Sequence, residues 1–526
     1  MKNFRYTALA GLIMLSIASV HAATPPKTLV VAQSITDAVS FDPAEGFELT
    51  TVQSFNSIYQ RLVESNPAKQ TELQGALAAS WKFGADGSSI TFKIKPGAAF
   101  ASGNPVKPED VIYSLSRAVK LKKGPAFILG ELGWTAENVD SFLKKADDSS
   151  VTLSWPAKVG PGFALSILTA PIASIVDQKE VQTHEVADDF GNAWLKTHSA
   201  GSGAFTIKSF QPNEALVLEA NPKAPAGAPL LSTIILKNVT DPVTRRLLIE
   251  KGDADIARDV GADQINELKG KAGLSILSIP SAAQQYIALD TVNKDNPALK
   301  NPALWEASRW LVDYDGIANK LLKGQVQIHQ AFLPVGFPGA LTDNPYKLDP
   351  AKAKAILDKA GLKDLKIKLD IINQPPYPDI AQSLQASFAK AGVQLEIIPS
   401  VGAQFYAKIR SHAHEAALAF WIPDYFDPHS NASAFAMNRD DGAKTIAWRN
   451  GWLIPELTAK TEAAVQEKDA AKRVKLYAEI QRVIQKQSPL ILMFQATDQV
   501  VVRSNVKGYV QGLNADQVYY ARVSKP

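Results

Sequence analysis

From residue 349 onward the sequence alternates between helix patterns and strand patterns, and this alternation constrains the fold more than any other feature. Asp349 and Pro350 are typical of a helix start, and the apolar residues after them have helical spacing. A strand-like run follows at 365–372, then a helix pattern at about 379–391 and a strand pattern at 393–398. Such alternation predicts an α/β layered domain.

The same mixture of elements is present elsewhere in the chain. Residues 89–95 alternate apolar and polar side chains, as a half-buried strand does, and 108–110 is typical of a helix start. Late in the chain Asp469 begins another helix pattern, and the apolar run 490–494 follows it. A chain of 526 residues is too long for one core, so we expect two or three domains. Since no flexible linker separates them, we expect domains that exchange strands.

The first 22 residues are typical of a signal peptide. Lys2 and Arg5 form a basic start, an apolar run follows, and residues 20–22 fit the small-x-small cleavage pattern. The alternative is a membrane anchor, but the apolar run is shorter than the roughly 20 residues that a spanning helix needs. We therefore expect a mature chain that begins at Ala23 and is exported to the periplasm.

The composition excludes several classes of function. The chain has no cysteine, which excludes disulfides, thiolate metal sites, cysteine nucleophiles and a lipid anchor on cysteine. The formal net charge of +4 falls to +2 once Lys2 and Arg5 are removed, which argues against nucleic acid as a partner. We expect a free periplasmic monomer without a cofactor or a metal.

Motifs for catalysis are absent from the sequence. There is no G-x-S-x-G nucleophile motif and no Walker A loop. His414 is followed by glutamate but lacks the second histidine of a metalloprotease, and 199–203 is glycine-rich but lacks the lysine of a phosphate loop. His412 and His414 could bind a metal weakly on one strand face, although a solvated pair is the better interpretation. We do not expect an enzyme.

Ten short segments occur in the order and spacing of a known family. They are residues 41–43, 56–63, 77–81, 90–96, 100–103, 109–111, 201–205, 252–256, 349–361 and 421–428. With them the chain resembles solute-binding family 5, the large solute-binding proteins of peptide and nickel ABC importers. It departs from the family at Ala101, where histidine is frequent, and at 305–309, where arginine-glutamine-alanine is frequent.

The resemblance implies a two-lobed periplasmic binding protein fold with an extra subdomain, in which two crossing strands form a hinge and a ligand is enclosed between the lobes. The implied boundaries are 1–22 for the signal peptide, 23–65, 191–283 and 491–526 for the core of lobe I, 66–190 for the extra subdomain, and 284–490 for lobe II. The crossings are expected near 282–290 and 490–495. The partners implied are an inner-membrane ABC permease and its ATPase.

The stretch 420–428 is the most informative for ligand binding, because it places two acids among four aromatic residues. Aromatic rings enclose apolar or planar groups, and a buried carboxylate is costly unless a cation pairs with it. In peptide-binding relatives the acid three residues after the tryptophan holds the α-amino group of the ligand, which implies Asp424 here. We expect Trp421 and Tyr425 beside it, and we expect Asp427 to cap a turn.

Further candidate ligand-binding residues are Phe41, an aromatic residue of the first matching segment, and Gly203 and Ala204, in a loop that could offer backbone groups. The usual anchors for a peptide carboxylate are missing, because Leu418 occupies one arginine position and 369–389 contains neither lysine nor arginine. The ligand expected is a long peptide, an amide, or an amine-bearing compound that is not a peptide.

The sequence leaves other functions on the same fold open. The first is binding of a non-peptide solute such as an opine, a sugar derivative or a nickel complex. The second is service as a sensor or chaperone-like receptor, which the sequence does not separate from import, because a fold does not fix a function. A periplasmic metal-dependent hydrolase is disfavoured, since no nucleophile or ligand set is present.

Overall fold

The computed structural model describes residues 24–67, 69–439 and 444–526, and the signal peptide predicted at 1–22 lies outside them. The strands of the described residues are β1 (Thr28–Gln33), β2 (Val63–Asn66), β3 (Lys69–Gly75), β4 (Ala78–Phe83), β5 (Ser89–Ile94), β6 (Leu143–Asp147), β7 (Ser150–Ser154), β8 (Phe205–Gln211), β9 (Ala215–Ala220), β10 (Thr233–Asn238), β11 (Ile256–Ala257), β12 (Leu274–Leu289), β13 (Val326–Ile328), β14 (Leu365–Ile372), β15 (Val393–Ser400), β16 (Ala416–Trp421), β17 (Leu490–Arg503), β18 (Val510–Gln511) and β19 (Val518–Tyr519).

The α-helices of these residues are α1 (Leu49–Ile58), α2 (Pro108–Lys120), α3 (Ala126–Gly130), α4 (Val139–Phe142), α5 (Pro161–Ile167), α6 (Gln178–Gln182), α7 (Asn192–Leu195), α8 (Pro242–Lys251), α9 (Ala262–Leu268), α10 (Pro302–Arg309), α11 (Pro350–Lys359), α12 (Tyr377–Ala389), α13 (Gly402–Ile409), α14 (Pro428–Ala436), α15 (Ile446–Arg449), α16 (Pro455–Gln466) and α17 (Ala470–Gln487). None of the helices in the described part of the chain has the length and apolar character needed to cross a membrane.

One eleven-stranded sheet runs through the molecule, in the order β15-β14-β16-β12-β17-β11-β1-β10-β9-β8, with β13 beside β17. We call the end with β11, β1, β10, β9 and β8 lobe I and the end with β14, β15 and β16 lobe II. The two long strands β12 and β17 pair with each other and belong to both ends. This confirms the α/β fold class and the expectation that the domains exchange strands.

Both lobes contain parallel strands with a core on each sheet face. In lobe I β1 is parallel to β10 and β11, and in lobe II β14 is parallel to β15 and β16. Separate apolar clusters cover the two faces of lobe I and the two faces of lobe II. Because ligands of open α/β sheets bind beyond the carboxyl ends of parallel strands, the loops that follow β1 and β16 are placed for binding.

A second, smaller sheet has its own core. Its strand order is β4-β5-β7-β6, and α2 to α5 pack with it. We call this unit the subdomain. Its buried cluster also contains Tyr425 and Val465, which belong to lobe II. The Gly160 N–H of the subdomain donates a hydrogen bond of 2.9 Å to the Val465 carbonyl. The subdomain and lobe II are therefore in contact.

The pairing of β12 with β17 is interrupted where the chain passes between the lobes. Pro280 pairs with Thr497, and pairing resumes at Gln284 with Gln495, so that three residues of β12 face one residue of β17. At this point the Gln495 side chain donates a hydrogen bond to the Ser281 carbonyl at 2.9 Å. A second register shift follows between Gln285 and Tyr286. A double strand with such interruptions is a natural hinge, because rotation there disturbs few ladder bonds.

The helix and strand patterns of the sequence correspond closely to the structure. Asp349 caps α11, since its carboxylate accepts a hydrogen bond of 2.9 Å from the Lys352 N–H. Asp469 caps α17 in the same way, through Lys472 N–H at 2.9 Å. The predicted strand 365–372 matches β14. The predicted strand at 490–494 is longer than expected, because it continues across the hinge as β17.

Candidate ligand-binding site

Asp424 lies in the loop of residues 422–427, which connects β16 to α14 and which we call the Asp424 loop. The loop begins where β16 ends at Trp421, at the edge of the sheet where the parallel strands of lobe II end. The Asp424 N–H donates a hydrogen bond of 2.9 Å to Ser430 Oγ in the first turn of α14. This bond fixes the loop backbone and leaves the carboxylate for other contacts.

Asp427 holds the other end of the Asp424 loop. Its Oδ1 accepts a hydrogen bond of 2.8 Å from the His429 N–H and so caps α14. Both of its carboxylate oxygens also accept hydrogen bonds from the Arg473 guanidinium of α17, at 2.6 and 2.9 Å. Bidentate pairs of this kind are strong and fix geometry. Asp427 is therefore a structural residue, as the sequence predicts.

The Asp424 carboxylate has no hydrogen-bond partner among the residues that the structure describes. Burial, and next to it the charge of Glu131, raise the pKa of Asp424 to about 7, while Arg449 acts in the opposite direction. Glu131 follows α3 in the subdomain, so the charge that influences Asp424 comes from the subdomain. A cation placed beside Asp424 would lower the cost of its charge.

The aromatic neighbours of Asp424 contact both sides of the cleft. Tyr425 is buried and packs edge-on against Phe163 of the subdomain, with ring centroids 5.9 Å apart. Trp421 is partly exposed, and its indole N–H donates a hydrogen bond of 3.2 Å to Asn431 Oδ1. Its ring meets Phe435 edge-on at 6.3 Å. Asp424 thus lies between an aromatic residue that faces the subdomain and one that continues the sheet.

The structure does not bring Phe41 to this loop. Its side chain is fully buried in the core of lobe I and packs against Phe210 at 5.0 Å. Buried aromatic packing accounts for this residue. The neighbouring Asp42 also has a structural partner, because it accepts two hydrogen bonds of 2.8 Å from the Arg117 guanidinium.

Gly203 and Ala204 have most of their backbone groups in use. The Gly203 N–H donates to the Ile58 carbonyl at 3.0 Å, and the Gly203 carbonyl accepts from the Asn221 side chain at 2.8 Å. The Ala204 carbonyl accepts from the Asn221 N–H at 2.8 Å. A Cβ at Gly203 would overlap the backbone of Ser57 and Ile58, so the close approach of two chains explains this glycine.

Two further polar side chains beside this loop were not found from the sequence. Gln284 lies directly opposite Trp421 in the ladder of β12 and β16. It is fully buried, and neither its Nε2 nor its Oε1 has a partner among the described residues. Arg449, the last residue of α15, is near enough to Asp424 to influence its charge. No local motif marks either residue, since only the fold brings them together.

The two histidines near β16 are not the solvated pair predicted from the sequence. His414 is buried, with Nε2 3.1 Å from Asn450 Oδ1, and burial lowers its pKa. His412 Nδ1 lies 3.3 Å from the fully buried Asp290 carboxylate. The solvated interpretation was wrong because the fold places two polar residues from distant segments against the histidines. Asp290 follows β12 and contacts His412, and Asn450 follows α15 and contacts His414. No group of three possible metal ligands occurs among the described residues.

Comparison with known proteins decides the family. The family model for bacterial extracellular solute-binding proteins, family 5 Middle, matches residues 72–443. The chain belongs to this family. Over 526 aligned residues it is also 30% identical to the probable D,D-dipeptide-binding periplasmic protein DdpA of Escherichia coli K12, with 98% of each chain covered.

Two solved structures show the same fold. One is the periplasmic binding protein DppA from Helicobacter pylori in complex with the peptide STSA, with a TM-score of 0.79, 21% identity, and 95% and 98% of the two chains covered. The other is MoaA from A. tumefacien R10 in complex with mannopinic acid, with a TM-score of 0.77, 20% identity, and 95% and 100% covered. Both confirm the two-lobed binding protein fold.

Family membership fixes the kind of protein. It is the periplasmic substrate-binding component of an ABC importer and not an enzyme. A permease and an ATPase are the partners expected throughout this family.

Proposed function

We propose that the protein captures a short peptide, or a small solute with a free amino group, by pairing that group with Asp424. The observation that carries this proposal is the Asp424 carboxylate, which is partly buried and has no hydrogen-bond partner among the described residues. Burial raises the pKa of Asp424, because it favours the protonated form of the carboxyl group over the ionised form. An ammonium group beside the carboxylate would offset the cost of ionisation.

The named relatives support a peptide ligand. The relative from Escherichia coli that is 30% identical is called a probable D,D-dipeptide-binding protein, and a dipeptide-binding protein from the same organism is 25% identical. The position of Asp424, three residues after Trp421, corresponds to the acid that holds the α-amino group in such relatives. We propose that Trp421 and Tyr425 flank the ligand and that the side-chain amide of Gln284 forms hydrogen bonds with the ligand backbone.

We propose that the lobes are divided along the chain as the resemblance implies, at 23–65, 66–190, 191–283, 284–490 and 491–526. The ligand is enclosed when the subdomain meets the Asp424 loop. In its closed form the monomer is recognised by an inner-membrane permease and its ATPase, which take up the ligand. The contacts of Tyr425 with the subdomain support closure at this place.

A thermal-shift panel tests the proposal. The mature protein is mixed with L-Ala-L-Ala, D-Ala-D-Ala, the N-acetylated form of each, mannopinic acid and Ni²⁺. A tight ligand raises the melting temperature by mass action. We expect at least one free dipeptide to raise it and the N-acetylated forms to have little effect. If only mannopinic acid or only Ni²⁺ raises the melting temperature, the ligand is that solute and not a peptide.

An opine is the second candidate, because the structural neighbour MoaA binds mannopinic acid with the same fold. The two candidates differ at the amine. A dipeptide carries a primary ammonium, which offers three N–H donors, whereas an opine carries a substituted one. The Asp424 carboxylate, which has no hydrogen-bond partner among the described residues, therefore favours the peptide.

A further inference from the structure

We propose that residues 323–328, which we call the strap, hold lobe I and lobe II in the observed arrangement and set how readily the two lobes separate. The chain itself joins the lobes through β12 and β17. The strap is a further connection, made by hydrogen bonds and an ion pair. The inference goes beyond the proposed function, because it does not depend on which solute the cleft binds.

The first observation is the position of the strap along β17. The strap contains β13, whose Val326 belongs to the apolar core of lobe II. β13 pairs with residues 494–496 of β17, and the Thr497 N–H donates a hydrogen bond of 2.8 Å to the Gln325 carbonyl. Because β12 occupies one edge of β17, β13 and β11 share the other edge. The strap therefore supports β17 at the level where the ladder between β12 and β17 is interrupted.

The second observation is the pair of contacts that the strap makes with lobe I. Gln325 Nε2 donates a hydrogen bond of 2.9 Å to the carbonyl of Val260, a buried residue that follows β11. Lys323 Nζ lies 2.5 Å from Asp263 Oδ1 in the first turn of α9. Val260 and α9 belong to the core of lobe I. The two contacts therefore join the end of β13 in lobe II to the end of β11 in lobe I.

The two contacts differ in strength. The Gln325 bond is partly buried, and a hydrogen bond of this kind shifts an equilibrium about 2- to 13-fold. The ion pair is exposed, so water and salt weaken it. A contact that exists in only one arrangement of the lobes favours that arrangement by its own free energy. Because rotation at the interrupted level moves the end of β13 away from the end of β11, both contacts favour the observed arrangement, in which the subdomain lies against lobe II.

Distance measurement by electron paramagnetic resonance tests the strap on the unliganded mature chain. The sequence has no cysteine, so spin labels attach only at two introduced ones, Lys158→Cys in the subdomain and Ala459→Cys in lobe II, both at exposed positions. We expect a short distance for the observed arrangement and a longer one for separated lobes. Gln325→Ala should shift the ratio of the two populations about 2- to 13-fold toward the longer distance.

Gln385→Ala is the matched control for this variant. Gln385 Nε2 also donates a hydrogen bond to a backbone carbonyl, that of Leu395 at 2.7 Å, but both residues lie in lobe II. The control should leave the ratio of the two populations unchanged.

A charge reversal tests the ion pair. Lys323→Glu places two acids together and should shift the lobes toward separation, and the addition of Asp263→Lys should restore the wild-type ratio. This restoration distinguishes a contact between the lobes from a local loss of stability.

The proposal is contradicted if Gln325→Ala keeps the wild-type ratio, or if Gln385→Ala changes the ratio as much. A single distance that no variant changes would contradict it as well. Should Gln325→Ala not fold, the charge reversal decides, because an effect of Lys323→Glu that Asp263→Lys does not reverse, or no effect at all, would rule out the strap. None of these outcomes depends on a ligand, so the proposed function is tested separately.

Discussion

At the scale of single residues, Asp424 should make ligand binding depend on pH. Its pKa of about 7 is raised by burial and by Glu131, and an ammonium pairs only with the ionised carboxylate. Binding therefore releases a proton wherever Asp424 is protonated. We expect affinity for a free dipeptide to fall about tenfold per pH unit below about pH 6, and to fall again above about pH 8, where the α-ammonium of the ligand loses its proton. Calorimetry from pH 5 to pH 8.5 measures the slope, and Asp379→Asn, at an exposed acid of α12, should not change it.

The same carboxylate should lower stability at neutral pH. The unfolded pKa of an aspartate is about 3.9 and the folded pKa is about 7, so the folded state holds its proton to higher pH. The stability from that proton is fully present below about pH 4 and is lost as pH rises through about 7. Asp424→Asn should therefore raise the unfolding midpoint in denaturant at pH 8 and change it little at pH 4. A midpoint that falls at pH 8 would show that the carboxylate already has a partner in the fold.

At the scale of elements, Phe163 of α5 should stabilise the closed form. Its ring contacts Tyr425 at 5.9 Å and His429 at 5.1 Å, both in lobe II. Aromatic pairs contribute about 0.5–1.5 kcal/mol beyond their buried area, so Phe163→Leu should speed ligand dissociation roughly 2- to 13-fold. Stopped-flow measurements test this expectation.

Phe92→Leu is the matched control for this variant. Phe92 is equally buried but packs against Trp81 within the subdomain. Both variants should lose similar stability, and only Phe163→Leu should change dissociation. Equal dissociation rates in the two variants would mean that the subdomain does not close on the ligand.

The elements also show what could be predicted from the sequence. The helix starts at Asp349 and Asp469 are marked by local sequence signals, and both helices begin in the structure where the sequence predicts. The strand at 490–494 was predicted too short, because nothing local in the sequence distinguishes a strand that ends from one that crosses a hinge.

The site was predicted only in part, for a similar reason. The stretch around Asp424 is contiguous and could be read directly. Glu131, Gln284 and Arg449 come from three distant segments, and only the sheet and the subdomain bring them to the same loop. Phe41 was selected by residue type, which does not separate a binding ring from a core ring.

At the scale of the whole molecule, ligand should shift the protein toward the closed form. The lobes are joined by β12 and β17, and the ladder between these strands is interrupted at the level of Ser281. Rotation at this level moves two packed bodies with little repacking. Small-angle scattering should show a smaller radius of gyration with a saturating dipeptide than without it. Asp424→Asn at the same ligand concentration should not become smaller, and an unchanged radius for the wild type would argue against lobe closure.

The measurement that tests the account most directly is calorimetry of one dipeptide and its N-acetylated form with wild type and Asp424→Asn. This substitution keeps the shape of the side chain and removes its charge. We predict that the wild type binds the free dipeptide tightly and that Asp424→Asn loses about 2–5 kcal/mol, or roughly thirty- to several-thousand-fold in affinity. The N-acetylated dipeptide should bind both proteins weakly and alike, because it carries no charge for Asp424 to pair. If both proteins bind the free dipeptide equally well, Asp424 is a turn residue and the binding site lies elsewhere.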